Sequence, residues 1–112
     1  MDIIFRTKRL RRICNSLKEA QRHLGTDCGK LLLRRLDDLA AAEVLQDMRH
    51  MRPARCHELT GDRKGQLSVD LKHPYRLIFE PNNDPRPSKP DGGLDWAMVS
   101  AVRILEITDT HG

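Results

Sequence analysis

A chain of 112 residues with 38% apolar and 32% charged residues suits one compact domain rather than a disordered tail. It is long enough to bury roughly two thirds of the surface its unfolded form exposes. No run approaches the ~18 consecutive apolar residues of a membrane span, and no cationic segment followed by an apolar one opens the chain, so neither a membrane partner nor a secretory signal is expected.

"DIIFRT" (2–7) is a short apolar run with β-branched and aromatic residues and reads as a first strand. From Thr7, a plausible N-cap, the period changes. Leu10, Ile13, Cys14, Leu17, Ala20 and Leu24 follow the spacing of one amphipathic helix that Gly25 would end. After a second cap at Thr26 or Asp27, "GKLLLRRLDDLAAAEVLQDM" (29–48) predicts a second helix. The short connection makes the two an antiparallel hairpin. "RCHEL" (55–59) predicts a strand entering the turn "TGDRKG" (60–65). "QLSVDLK" (66–72) alternates apolar and polar residues as a half-buried strand does. "HP" (73–74) turns the chain into the strand "YRLIFE" (75–80). Residues 81–95, with four prolines and two glycines, read as an exposed loop without regular structure, and "WAMVSAVRILEIT" (96–108) as a last strand. The order β-α-α-β-β-β-β predicts a single α+β domain over 1–112, with the helical hairpin packed on a twisted antiparallel sheet.

The net charge of +4 is unevenly spread. Residues 1–24 hold seven Lys/Arg against two acids, and residues 49–80 seven against four; the other two quarters are acidic. A cationic surface favours phosphate-bearing or acidic partners, although such charges also serve solubility alone. The three cysteines, Cys14, Cys28 and Cys56, lack CxxC spacing. That pattern suits reduced thiols in a cytoplasm, and no metal site or cofactor is indicated.

Six residues carry candidate chemistry. His57 precedes the turn, and an imidazole can give or take a proton near neutral pH; the bland reading is a hydrogen-bonded strand residue. Arg76 stands inside an apolar strand, rigidly placed for bidentate phosphate contact, or for an ion pair with Asp70, Glu80 or Glu106. Asp109 and His111 follow the last strand, where a tail is ordinarily frayed. Arg63 and Lys64 are two cations on one turn, with Gly61 and Gly65 supplying positive φ. Should the sheet bring these groups together, they suffice for metal-independent RNA cleavage: one group removes the 2′-hydroxyl proton, another protonates the leaving 5′-oxygen, and cations stabilise the phosphorane. Spacing alone leaves that convergence open.

"CHELTGDRKGQLSVDLKHPYRLIFEP", followed by a final strand and "ITDTH", resembles the RelE/ParE superfamily of toxins from bacterial type II toxin–antitoxin modules, closest to the HigB-like (host-inhibition) branch. The resemblance implies a microbial RNase-like fold and a ribosome-dependent mRNA endonuclease acting in the cytoplasm. It implies a cognate helix-turn-helix antitoxin, and operator DNA reached only through the complex with it. Carried over by residue, His57 matches the family's active-site histidine, Arg76 its strand arginine, and Asp109 and His111 its terminal pair. Arg63 and Lys64, with Arg9 and Arg12 on the first helix, would hold RNA backbone. The chain departs from the pattern twice. Thr110 stands where relatives often have an aromatic, removing a stacking surface worth roughly 1–3 kcal/mol, and Thr60 stands where some carry a lysine. The long 81–95 loop is a candidate contact for antitoxin or ribosome. Two other readings stay open: a ParE-like, non-catalytic gyrase-binding toxin, and a weakly active toxin retained to bind antitoxin and operator.

Overall fold

The computed structural model describes residues 1–109; Thr110 and His111 lie outside the described residues. The elements run β1 (Asp2–Phe5), α1 (Lys8–Cys14), α2 (Leu17–Leu24), α3 (Thr26–Ala41), β2 (His57–Glu58), β3 (Leu67–Asp70), β4 (Tyr75–Pro81) and β5 (Ala101–Asp109). The strands form one sheet in the order β1-β5-β4-β3-β2. The α+β class is as the sequence predicts, but the sheet is mixed. β1 runs parallel to β5, while β2–β3, β3–β4 and β4–β5 are antiparallel. A hairpin reading joins strands that are neighbours in sequence. β1 instead pairs with the last strand, across everything between them, and no local signal encodes that direction.

The expected first helix is two. Thr7 caps α1, its side chain accepting from the Leu10 N–H at 3.1 Å. Ser16 then turns extended and accepts from the Glu19 N–H at 3.2 Å, starting α2. Ser16 with Glu19 is the Ser-x-x-Glu signature of a helix start, and it sits inside an unbroken apolar stripe. α3 starts earlier and ends sooner than predicted, and residues 45–50 form a 3₁₀ segment. α2 and α3 pack as the expected antiparallel hairpin. A Cβ on Gly29 would come within 2.6 Å of the Gln21 backbone nitrogen, so only glycine permits this approach.

Leu32, Leu36 and Leu39 of α3 pack with Leu67, Val69, Leu77, Phe79, Val102 and Ile104 of the sheet in one core. Apolar side chains from a helix stripe and from alternate strand positions thus bury one another. β3 lies between β2 and β4. Leu67, Val69 and Leu71 are buried while Gln66 and Asp70 are only partly so and Lys72 is exposed, as the alternation at 66–72 predicts, and Ser68 alone of its polar positions is buried as well. Strand structure around His57 is shorter than expected, and residues 96–98 are a 3₁₀ turn that seats Trp96 before β5 begins at Ala101. The 81–95 loop is partly ordered. Ser88 and Leu94 form an isolated bridge, the Lys89 N–H donates to the Gly93 carbonyl at 2.7 Å, and Leu94 is buried.

Candidate active site

The sheet face turned away from the helices carries the site. Its register builds two rows. In one, His57 of β2 stands beside Ser68 of β3, Ile78 of β4 and Glu106 of β5. In the other, Asp70, Arg76 and Thr108 are neighbours on β3, β4 and β5. Positions two apart on a strand share a face, so both rows do too. With strands ~4.8 Å apart and a rise of ~3.4 Å per residue, the Cα atoms of His57 and Arg76 are about 12 Å apart. An imidazole and a guanidinium projecting from those points can meet one phosphate group held between them. Ile78 and Ser68 are fully buried and make the floor, Ile78 standing apart from the helix-side core. The Ser68 hydroxyl has no hydrogen-bond partner among the described residues.

His57 is oriented by its own chain. Its Nδ1 lies 2.7 Å from the Arg55 carbonyl oxygen. A carbonyl only accepts, so Nδ1 holds the proton and Nε2 is left to take or give one. Arg76 is paired with Asp70, Nε to Oδ1 at 3.5 Å, with only 15% of its side chain exposed. The alternative reading of Arg76 as an ion-pair residue is therefore met, and the pair stands on the same face as His57. The opposite oxygen of Asp70 pairs with Arg55 Nη1 at 3.3 Å.

The turn cations divide. Gly61 and Gly65 have the positive φ expected of them, 64° and 94°. Arg63 is held by Glu106 at 2.6 Å and by Gln66 at 3.1 Å, bracing the turn against β5 and placing that pair beside the His57 row. Lys64 is exposed. Thr60 caps the turn with its carbonyl, which accepts from the Arg63 N–H at 3.2 Å. Arg86 of the long loop donates to the Gly65 carbonyl at 3.3 Å, so the loop touches the turn. Arg9 and Arg12 are exposed on α1. Arg9 shares with Glu106 the lining of a cavity of about 340 Å³ between α1, α2 and β5, whereas Arg12 is not part of that cavity's lining. Asp109 pairs with Tyr75 at the sheet's end, one residue beyond the Arg76–Thr108 row, and His111 lies outside the described residues. No group of three or more His, Cys, Asp or Glu arranged to hold a metal occurs among the described residues.

Sequence reasoning named Asp70 only as one of three possible ion-pair partners of Arg76, and it missed Arg55. Asp70 was visible as a polar position in an alternating strand, but its place between two arginines comes from the β2–β3–β4 register. Arg35 was also missed: it is a buried arginine on the inner side of α3, where the apolar stripe predicts a leucine-rich surface.

The sequence model for the RelE-like toxin HigB of type II toxin–antitoxin systems matches residues 3–86. The chain belongs to this HigB-like toxin family. The matched span includes β1 to β4, with His57, the turn and Arg76, and stops within the long loop before β5. Among solved structures, the toxin is similar to a YoeB/ParE toxin from Agrobacterium tumefaciens, at 9% identity and a TM-score of 0.51. That similarity covers 97% of this chain and 98% of the other; at such identity it shows a common fold, β5 included. No curated protein matches the toxin. No helix among the described residues is long and apolar enough to cross a membrane.

Proposed function

We propose that the toxin is a ribosome-dependent endoribonuclease that cleaves translated mRNA without a metal ion, and that it acts in the cytoplasm. The observation carrying this reading is the shared face of His57 and Arg76, with the His57 tautomer set by a carbonyl and Arg76 anchored on Asp70. His57 Nε2 takes the proton of the 2′-hydroxyl, and the 2′-oxygen attacks the adjacent phosphorus. The P–O5′ bond breaks, leaving a 2′,3′-cyclic phosphate and a 5′-hydroxyl that receives its proton from His111. Arg76 stabilises the doubly charged phosphorane, and Asp109 orients His111 or the substrate. Positioned proton transfer of this kind contributes about 10²–10⁴-fold in rate. Arg63, Lys64, Arg9 and Arg12 hold RNA backbone, Arg63 by sharing its Glu106 pairing with a phosphate.

A type II toxin has a cognate antitoxin; here we take it to be a helix-turn-helix protein that also carries the complex to its operator. The test is inducible expression with mapping of mRNA 5′ ends. Wild type is expected to arrest growth and create new ends within translated frames, and His57→Ala with His111→Ala to abolish both. Arrest without new ends would refute the nuclease reading; inhibition of gyrase supercoiling by the purified toxin would then favour a ParE-like mode.

A further inference from the structure

We propose that Arg55 is a second phosphate-contacting residue of this face, acting beside Arg76 on single-stranded RNA backbone; the choice of RNA rests on the nuclease reading above. Arg55 is the one non-glycine residue at positive φ among the described residues, with φ 46° and ψ 51°. A long side chain rarely adopts this left-handed conformation, and such strain collects at functional sites. Here it has two effects. It directs the Arg55 carbonyl at His57 Nδ1, 2.7 Å away. It also leaves the side chain opposite Asp70, where continuing the β2–β3 register would put it, with Nη1 3.3 Å from Oδ2.

Arg76 approaches the other oxygen of the same carboxylate. Two guanidiniums therefore flank one anion, and the row Arg55–Asp70–Arg76 carries one net positive charge. A phosphodiester, with a single negative charge, neutralises it. Exposure separates the two arginines. Arg76 is 15% exposed and set in the sheet, whereas the Arg55 side chain is 66% exposed. Its pairing with Asp70 is screened by water and salt and is easily shared. A guanidinium presents parallel N–H groups that fit two phosphate oxygens, and this one stands two residues before the imidazole proposed to start the chemistry. The phosphate bound there is the scissile one or its immediate neighbour.

The experiment is fluorescence anisotropy with a labelled single-stranded RNA oligonucleotide carrying 2′-O-methyl riboses, which cannot be cleaved, over a series of salt concentrations. The proteins are wild type, Arg55→Asn and Arg55→Lys. Asparagine tolerates the left-handed backbone, so the carbonyl that holds His57 stays in place, and an unchanged thermal midpoint verifies it. Arg55→Asn is expected to weaken binding and to reduce the slope of log K against log salt by about 0.7, one phosphate contact on a single strand. Arg55→Lys is expected to keep the wild-type slope. An Arg55→Asn slope equal to wild type overturns the proposal, as does a wild type that binds no RNA. Because the probe cannot be cut, a toxin that shows this slope change yet leaves cellular mRNA intact fails the nuclease reading alone.

Discussion

Replacing Arg35 by methionine tests whether a buried arginine ties the active-site strands to the helices. Arg35 sits on α3, and its Nε donates to the Asp70 carbonyl at 2.9 Å. Its Nη2 donates to the Pro53 carbonyl at 3.2 Å, and Nη1 is 3.5 Å from Asp38 Oδ2. One side chain thus joins the end of β3 to the segment that leads into Arg55 and His57. Methionine keeps the apolar stem but leaves two carbonyls and a half-buried carboxylate without their donor. Each hydrogen bond to a charged group contributes about 1.5–3 kcal/mol, and breaking a buried pair typically costs about 3–5 kcal/mol. We take ~3–5 kcal/mol as the expected loss. For a domain of this size, at ~4 °C per kcal/mol, that is a fall of ~12–20 °C in Tm. Trp96, the sole tryptophan and a buried one, reports unfolding in urea, and the free-energy difference is read from the midpoints at constant slope. Arg35→Lys, which keeps the charge but offers one point donor rather than a fork, is expected to fall between the two. A loss below ~1 kcal/mol for Arg35→Met would refute the argument, since the freed carbonyls would then have found water without cost.

Gly29→Ala is expected to destabilise by ~1–3 kcal/mol, because the added Cβ meets α2 backbone atoms that cannot rotate away. That loss is net of the gain of about 1 kcal/mol from helix propensity, and thermal melting that shows stabilisation would mean α2 shifts freely. Burial pushes the Cys14 and Cys56 thiols up from an ordinary 9.0 to about 12, with Arg49 partly opposing the rise at Cys56. The unfolded chain loses these protons first, so the stability they contribute is complete below about pH 9 and is lost as pH rises towards 12. A Cys14→Ala, Cys56→Ala double variant should therefore lose stability less steeply than wild type between those limits; parallel alkaline curves would contradict it.

The local chemistry of the fold was legible in the residues themselves. Thr7 marked the first helix start, the helix-forming run at 29–48 marked α3, and Gly61 and Gly65 marked a turn with positive φ. The apolar run after Arg76 marked an interior strand. Each is written over a few neighbouring residues, because helix period, strand alternation and backbone sterics are short-range. The break at Ser16 was also written there, as Ser-x-x-Glu, but an uninterrupted apolar stripe hid it.

Tertiary structure alone decided the parallel pairing of β1 with β5 and the burial of Ser68. It alone set Asp70 between Arg55 and Arg76, and Arg35 across two loop and strand carbonyls. Family resemblance pointed to His57 and Arg76 as partners, but not to what holds them. Their common face follows from the registers of β2 on β3 and β3 on β4. Register depends on the sum of many side-chain fits across strands, and a slip of one residue would send His57 and Arg76 to opposite faces. A sequence states which groups are present and which local shapes they favour; long-range pairing determines which of those groups meet.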